Sequence, residues 1–206
     1  MFGRYFTLVL LTFAGLCLAS CSEDDGTVQE FVNWQQVNAD AFRAKYDKAV
    51  ACTDGTMKVL RAYSKNTSTK TPEDFVVVEV LQNGTGSGCP LYTDSVRVHY
   101  LGRLLPSTTY AEGYVFDSGS SDGKKLTPQL ESPVAFALSE LVTGFTTAVM
   151  NRHIGDVWRV YIPQQLGYGT AAHSGIPAYS TLVFDIGLAA YYKPGSPSQA
   201  WKSKKQ

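Results

Sequence analysis

The first candidate for covalent chemistry is the string GSSDG at residues 119–123, which matches the GxSxG pattern of serine hydrolases. In those enzymes the serine lies in a sharp turn between a strand and a helix. Here the pattern is followed by KKLTPQLESP, which contains two prolines and has no helical periodicity. We therefore interpret residues 119–123 as a loop, and none of His99, His153 and His173 lies in a pattern that indicates a catalytic relay.

A second candidate is a set of aromatic residues on separate segments of the chain, accompanied by two polar residues. Asp117 follows the apolar run YVF, and Tyr168 lies in GYGTAAHSG, a loop longer than the two to five residues of a plain hairpin. A single aromatic residue is more often part of the hydrophobic core than of a binding site. Asp117 and Tyr168 are harder to explain as core residues. The aromatic members are Tyr100, Phe116, Phe136, Phe145, Tyr161, Tyr168 and Phe184.

The segments that must position these residues are mostly short strands rich in β-branched residues and separated by Gly and Pro. One helical stretch interrupts them, LVTGFTTAVMNRHIG, with Val142, Phe145, Val149 and Met150 on one face. Many strands and one short helix predict an α+β fold in which an antiparallel β-sheet wraps around a short α-helix. The strands are FVVVEVLQNG, DSVRVHYLG, PVAFALS, DVWRVYIP and STLVFDIGLAAYY.

An N-terminal helical extension precedes this sheet. TVQE at residues 27–30 has capping-box spacing, and the pattern after it predicts a helix of about 20 residues that ends before Asp54. MKVLRAYS at residues 57–64 predicts a strand. The helix could mediate a dimer or pack on the sheet, and we favour packing because one helix offers little area for a stable dimer. Its apolar face contains Phe31, Trp34, Ala41, Phe42, Tyr46 and Ala49.

The first 20 residues have the features of an export signal. Arg4 precedes an apolar run that is short for a bilayer span, and the run ends in LASC at residues 18–21. LASC resembles the lipobox of bacterial lipoproteins, which predicts that Cys21 is lipidated. The following SEDD resembles a surface-export tag of some Bacteroidetes lipoproteins, and a solvated tether is the alternative. We expect a lipid-anchored protein in the envelope of a Gram-negative bacterium, at the outer membrane, on its periplasmic or surface side.

Export leaves Cys52 and Cys89 as thiols in an oxidising compartment. They could form a disulfide or remain as two free thiols. The sequence contains no CxxC motif or Cys/His cluster, so it predicts no metal site and no cofactor. Its 18 basic and 18 acidic residues balance, so we expect no nucleic-acid partner.

Several motifs in order then identify a family. The chain reads VRVHYLGRL, YVFDSG, FALSELVTGFTTAVMNRHIGDVWRVYIPQQLGYG and IPAYSTLVFDI over residues 75–192. This resembles FKBP-type peptidyl-prolyl cis-trans isomerases, and the lipidated extension resembles the FKBP lipoproteins of Bacteroidetes. The resemblance implies a pocket between sheet and helix that accelerates X–Pro rotation in exported proteins without a nucleophile or cofactor. It implies proline-containing polypeptides as partners and macrolides as inhibitors.

By motif, the resemblance assigns catalytic roles to Tyr100, Asp117 and Tyr168. The backbone N–H of Val142 would bind a ligand carbonyl, and the long loop would form one wall of the pocket. The other substrate-binding residues that it implies are Phe116, Phe136, Leu141, Phe145, His173, Ile176 and Phe184.

The sequence departs from the family pattern at several pocket positions, which leaves open an FKBP-fold chaperone or binding module with weak isomerase activity. Phe145 replaces the usual Trp of the floor, Val134 replaces a wall Phe, and Gly167 replaces Ala before Tyr168. The predicted organisation is a signal peptide at 1–20, a tether and helix at 21–71, an isomerase domain at 72–192 and a disordered tail at 193–206.

Overall fold

The computed structural model describes residues 30–196, except residues 69, 121, 122, 124, 127, 129 and 130. The signal segment, Cys21, the SEDD stretch and residues 197–206 lie outside the described residues, and so do the predictions made for them. None of the helices in the described part of the chain has the length and apolar character needed to cross a bilayer.

Seven strands form one antiparallel sheet. The antiparallel sheet was predicted from the sequence, but the strand at Val115–Ser118 was not among the predicted strands. The order is β1-β2-β6-β7-β3-β4, and β5 pairs with β3. The central pairing is β3 with β7, which aligns Tyr100 with Ile186. The strands are β1 (Met57–Arg61), β2 (Phe75–Gln82), β3 (Ser95–Arg103), β4 (Val115–Ser118), β5 (Val134–Ala137), β6 (Val157–Ile162) and β7 (Leu182–Tyr192).

Two helices cover opposite faces of the β1-β2-β6 part of the sheet. Helix α1 (Trp34–Ala51) contacts β1, β2 and β6, and the shorter α2 (Thr143–Val149) contacts the same three strands. Val76, Val77 and Val78 on β2 are all fully buried. Successive strand residues point to opposite faces, so this run requires both faces to be covered. The predicted packing of the N-terminal helix on the sheet is therefore present.

Helix α2 approaches the sheet closely because its second residue is a glycine. A Cβ built on Gly144 would lie 2.3 Å from Ile162 Cγ2 on β6, which is too close for an ordinary contact. Phe145, Ala148 and Val149 are buried against the sheet. The close approach places the start of α2, and Phe145 with it, against the sheet.

Buried hydrogen bonds attach α1 to the segment that enters β7. Trp34 Nε1 donates to Ser180 Oγ at 2.8 Å, and the backbone N–H of Thr181 donates to Asn38 Oδ1 at 2.7 Å. Asn38 is 1% exposed. Buried polar groups need partners, so these bonds fix the position of α1 as well as its packing.

The predicted capping box was wrong. Helix α1 begins at Trp34, after Asn33, and no side chain caps it. Glu30 lies before the helix, where it accepts hydrogen bonds from Ser107 Oγ and from the Thr109 backbone N–H. The predicted strand at 57–64 ends earlier, at Arg61.

The suggested disulfide between Cys52 and Cys89 is absent, and both thiols are free. Cys52 Sγ donates to Asp54 Oδ1 and accepts from the Met57 backbone N–H, which holds it in the turn after α1. Cys89 Sγ lies 3.7 Å from His153 Nδ1. The two thiols thus have different local partners.

Candidate active site

The site begins with a tyrosine and a carboxylate on neighbouring strands. Tyr100 lies on β3 and Asp117 on β4, and the Tyr100 hydroxyl donates a hydrogen bond of 2.9 Å to Asp117 Oδ1. Tyr100 is 7% exposed. Burial and then the nearby Asp117 carboxylate raise the pKa of Tyr100 above its ordinary value. The hydroxyl therefore stays protonated and donates to the carboxylate at neutral pH.

The Tyr100 ring packs with four other rings, each from a different element, and we call these five rings the aromatic cluster. Phe145 on α2 lies edge-to-face with Phe184 on β7 at 5.2 Å between ring centroids. Edge-to-face packing is the favoured arrangement of aromatic rings and gives the cluster a defined shape. The other edge-to-face pairs are Tyr100 with Phe136 at 5.4 Å, Tyr100 with Phe145 at 6.5 Å and Phe116 with Phe184 at 5.4 Å.

A glycine on β3 makes room for part of this cluster. A Cβ built on Gly102 would lie 2.5 Å from Phe184 Cε1 and 2.8 Å from Phe116 Cε2. Only glycine allows both rings to lie against the strand. Gly102 was not among the predicted site residues, although a glycine inside a strand is a signal of close approach.

The long loop between β6 and β7 contributes Tyr168, and we call residues 167–181 the flap. The Tyr168 ring stacks on His173 with 4.4 Å between centroids and 16° between planes. Tyr168 is 38% exposed. Burial and, after it, the negative charge of Asp117 raise the pKa of Tyr168. Its hydroxyl therefore also stays protonated at neutral pH.

The tip of the flap is a two-residue turn. The backbone N–H groups of His173 and Ile176 each donate to the other residue's carbonyl, at 2.9 Å and 2.8 Å. Between them, Ser174 and Gly175 have φ of 43° and 82°, as a type I′ turn requires. Ile176 is buried, so the tip is fixed to the body of the protein.

Leu141 and Val142 lie at the start of α2 beside the cluster, and both are half-buried. The Val142 carbonyl accepts from the Thr146 N–H at 3.1 Å. Within the part of the chain that the structure describes, the Val142 N–H donates no hydrogen bond. The N–H groups at a helix start lack intrahelical partners, so this one is available to a ligand carbonyl.

The unusual pocket residues fit into the same cluster. Phe145 is 4% exposed and contacts the rings of Tyr100 and Phe184. Val134 lies against the loop after β4, because a Cβ on Gly119 would lie 2.9 Å from Val134 Cγ2 and 3.1 Å from Tyr100 Cε1. The loop that contains Gly119 therefore approaches the small side chain of Val134 closely.

The site residues that the resemblance assigned thus occupy the aromatic cluster, the start of α2 and the flap. The arrangement is an apolar, aromatic surface with two tyrosine hydroxyls, one carboxylate and one available backbone N–H. Among the described residues, no group of three or more His, Cys, Asp or Glu side chains could hold a metal ion.

Comparison with known proteins identifies the family of the chain. The profile of the FKBP-type peptidyl-prolyl cis-trans isomerases matches residues 89–189. The chain is 30% identical over 186 residues to the macrophage infectivity potentiator of Trypanosoma cruzi, and the match covers 90% of this chain and 83% of that one. The chain belongs to the FKBP-type peptidyl-prolyl cis-trans isomerase family. Its identity to the FKBP-type 22 kDa isomerase of Escherichia coli is 33% over 151 residues, which cover 73% of this chain and 65% of that relative.

Solved structures of FKBP-type proteins have the same fold. A peptidyl-prolyl isomerase from Pseudomonas syringae superposes with a TM-score of 0.54 at 26% identity, and the match covers 77% of this chain and 96% of that one. FkpA from Escherichia coli superposes with a TM-score of 0.55 at 27% identity, over 78% of this chain and 62% of FkpA. The predicted FKBP-like sheet around a short helix is confirmed.

Proposed function

We propose that this protein is a peptidyl-prolyl cis-trans isomerase that accelerates X–Pro rotation in exported polypeptides. The observation that supports this function best is the aromatic cluster of five rings, in which the Tyr100 hydroxyl donates to Asp117, beside the flap that carries Tyr168. An apolar concave surface with a few fixed polar groups suits the proline ring and its flanking amides.

The chemistry follows from the electronic structure of the amide. Resonance keeps the X–Pro bond planar, and rotation has a barrier of about 18–20 kcal/mol. A twisted amide loses resonance and is less polar than either planar form. An apolar pocket therefore destabilises the planar amide more than the twisted one, and each 1.4 kcal/mol or so of that difference gives about a tenfold acceleration.

The polar groups have separate roles in this proposal. The Tyr168 hydroxyl holds the carbonyl of the residue before proline, and the Val142 N–H holds a second carbonyl at the other end of the pocket. Asp117 orients Tyr100 and contributes a negative potential near the rotating bond. Both tyrosines remain protonated because their pKa values are raised.

The alternative is an FKBP-fold chaperone or binding module with weak or no isomerase activity. The observations that favour it are Phe145 at the floor, which carries no N–H, and the loop at Gly119 that comes close to Val134. Both functions use the same apolar surface. Asp117→Val and Tyr168→Phe separate them, because these changes slow an isomerase while leaving apolar binding largely intact.

The envelope location belongs to the same proposal. Residues 1–20 would be removed, Cys21 would carry the lipid, and residues 21–71 would connect the anchor to an isomerase domain at 72–192, with a tail at 193–206. A relative in Legionella longbeachae, 33% identical over 116 residues, is named outer membrane protein MIP. Fractionation of cells tests the anchor: Cys21→Ser should move the protein from the membrane to the soluble fraction, and retention in the membrane would refute lipidation.

A further inference from the structure

A cavity outside the aromatic cluster lies against the tip of the flap. Its volume is about 320 Å³, which is within the lower range of small-ligand sites. We call it the flap-tip cavity. Its lining combines one carboxylate with three aromatic rings and comes from three separate parts of the chain: Glu30, Phe31, Thr109, Tyr110, Tyr114 and Gly175.

The carboxylate of this cavity is held in position and ionised. Glu30 accepts hydrogen bonds from Ser107 Oγ and from the Thr109 backbone N–H, the latter at 3.0 Å and 3.2 Å to its two oxygens. These bonds lower the pKa of Glu30 below its ordinary value. None of the ion pairs between described side chains involves Glu30. The cavity therefore contains a fixed negative charge without a matching cation from the described part of the protein.

The aromatic rings suit the same kind of ligand. Tyr110 and Tyr114 lie edge-to-face at 5.1 Å between centroids, and Phe31 contributes the third ring. The faces of aromatic rings are negative and attract ammonium and guanidinium groups. A carboxylate combined with several rings is thus complementary to an organic cation with an aliphatic stem, such as a lysine or arginine side chain.

The cavity is connected to the proposed proline pocket through the flap. Gly175 lines the cavity at the flap tip, and the neighbouring His173 stacks on Tyr168. In the proposed function Tyr168 holds the carbonyl of the residue before proline. Residues that precede the proline therefore leave the pocket on the flap side, toward the flap-tip cavity.

We propose that the flap-tip cavity binds a lysine or arginine side chain that precedes the proline in the polypeptide substrate. The proposal rests on the isomerase function proposed above, and it names a substrate class for that site: X–Pro segments with a cationic residue on their N-terminal side. Glu30 supplies the charge, and Tyr110 and Tyr114 supply the ring surface for the stem and the cation.

The test compares peptides that differ only in charge. Lysine is placed at each of the four positions before the proline in an Ala-based Leu-Pro-Phe peptide, and norleucine at the same positions gives uncharged peptides with nearly the same stem. The kcat/KM for cis–trans exchange is measured by NMR with the full-length protein. At one or two positions lysine should be preferred over norleucine by about threefold to tenfold.

The variants separate recognition from folding. Glu30→Gln keeps an oxygen that can accept the hydrogen bonds from Ser107 and Thr109 but removes the negative charge. This variant should process the lysine and norleucine peptides with about equal kcat/KM. Tyr110→Leu should weaken it. The matched control is Asp47→Asn, an equal change of charge on the exposed face of α1, and it should leave the preference intact.

The outcomes distinguish this proposal from the isomerase function. Acceleration of the norleucine peptides with no lysine preference, or a preference that survives Glu30→Gln, overturns the flap-tip proposal and leaves the isomerase function in place. If no peptide is accelerated, the isomerase function fails. In that case the NMR signals of the Tyr110 and Tyr114 rings test binding at the flap-tip cavity separately. If these signals do not shift when the lysine peptides are added, the flap-tip proposal is overturned as well.

Discussion

The hydroxyl of Tyr100 on β3 donates a 2.9 Å hydrogen bond to Oδ1 of Asp117 on β4, and the Tyr100 ring packs edge-to-face with Phe136 and Phe145. The pairing of Gly102 with Asp117 brings the carboxylate to this position. Tyr100 is 7% exposed, and Asp117 is the acceptor of its hydroxyl. This hydrogen bond thus connects a ring of the aromatic cluster to Asp117, the one charged group that we assign to the proline pocket.

Removal of that acceptor should affect both stability and catalysis. Asp117→Val leaves the buried Tyr100 hydroxyl without its partner, which we expect to cost about 1–3 kcal/mol in the free energy of unfolding. The kcat/KM for X–Pro exchange should fall by about tenfold, or roughly 1.4 kcal/mol. Urea unfolding and NMR exchange measure the two effects. Asp117→Asn, which keeps an acceptor oxygen, should be less destabilised than Asp117→Val, and equal loss in both would argue against the hydrogen bond as the cause.

The packing of Phe116 and Phe184 against β3 should not tolerate a methyl group at residue 102. In Gly102→Ala the new Cβ would overlap both rings, and overpacking of this kind costs about 1–3 kcal/mol. We expect lower stability together with a lower kcat/KM, because the displaced rings belong to the proposed pocket.

Gly187→Ala is the matched control for that variant. Gly187 also lies in a strand, and a Cβ there would meet its nearest atom, Val157 Cγ2, at an ordinary 3.6 Å. Stability and exchange rates should be close to those of the native protein. Similar losses of stability and kcat/KM in the two variants would show that the strands do not tolerate alanine in general, and would argue against a specific effect on the aromatic cluster.

The N-terminal helix should contribute directly to the stability of the isomerase fold. Asn38→Ala leaves the buried N–H of Thr181 without an acceptor, which we expect to cost about 1–3 kcal/mol. Gln36→Ala, on the exposed side of the same helix, should have a small effect. Urea unfolding followed by both tryptophan fluorescence and circular dichroism should give one transition in each protein. A separate early transition for α1 would contradict the buried attachment.

Much of the fold follows from patterns that are local in sequence. Runs such as Val76–Val78 predicted strands, and the single helical stretch predicted the position of α2. The position of Phe145 beside Tyr100 came from the motif order, not from periodicity. Spacing cannot supply contacts such as Asn38 with Thr181, which are 143 residues apart and depend on the completed sheet.

The errors have the same origin. TVQE has the spacing of a capping box, but Glu30 is bound by Ser107 and Thr109 from a distant loop. For Cys52 and Cys89 the sequence left a disulfide and two free thiols open, and the structure has two free thiols with different local partners. The flap-tip cavity had no signal in the sequence because its residues come from three separate parts of the chain.

Stability should decrease when the pH falls below neutrality, because of His99. Burial lowers the pKa of His99 below its ordinary 6.5, and Glu131 offsets part of this effect. Between the lowered value and 6.5 the unfolded chain binds more protons than the folded protein, so protonation favours unfolding. The contribution of neutral His99 to stability is therefore fully present above about pH 7 and decreases as the pH falls below 6.5. Urea midpoints at pH 7.5 and 5.5 measure the decrease, and His99→Gln should reduce it. An unchanged decrease in that variant would assign the effect to other groups.

The central claim is that this aromatic pocket catalyses X–Pro rotation, and the most direct test is cis–trans exchange in an Ala-Leu-Pro-Phe peptide followed by NMR. Catalytic amounts of the full-length protein should raise the exchange rate well above the spontaneous one, which takes tens to hundreds of seconds. Tyr168→Phe should reduce the increase. An exchange rate that does not change when demonstrably folded protein is added would contradict the isomerase function and favour the binding module.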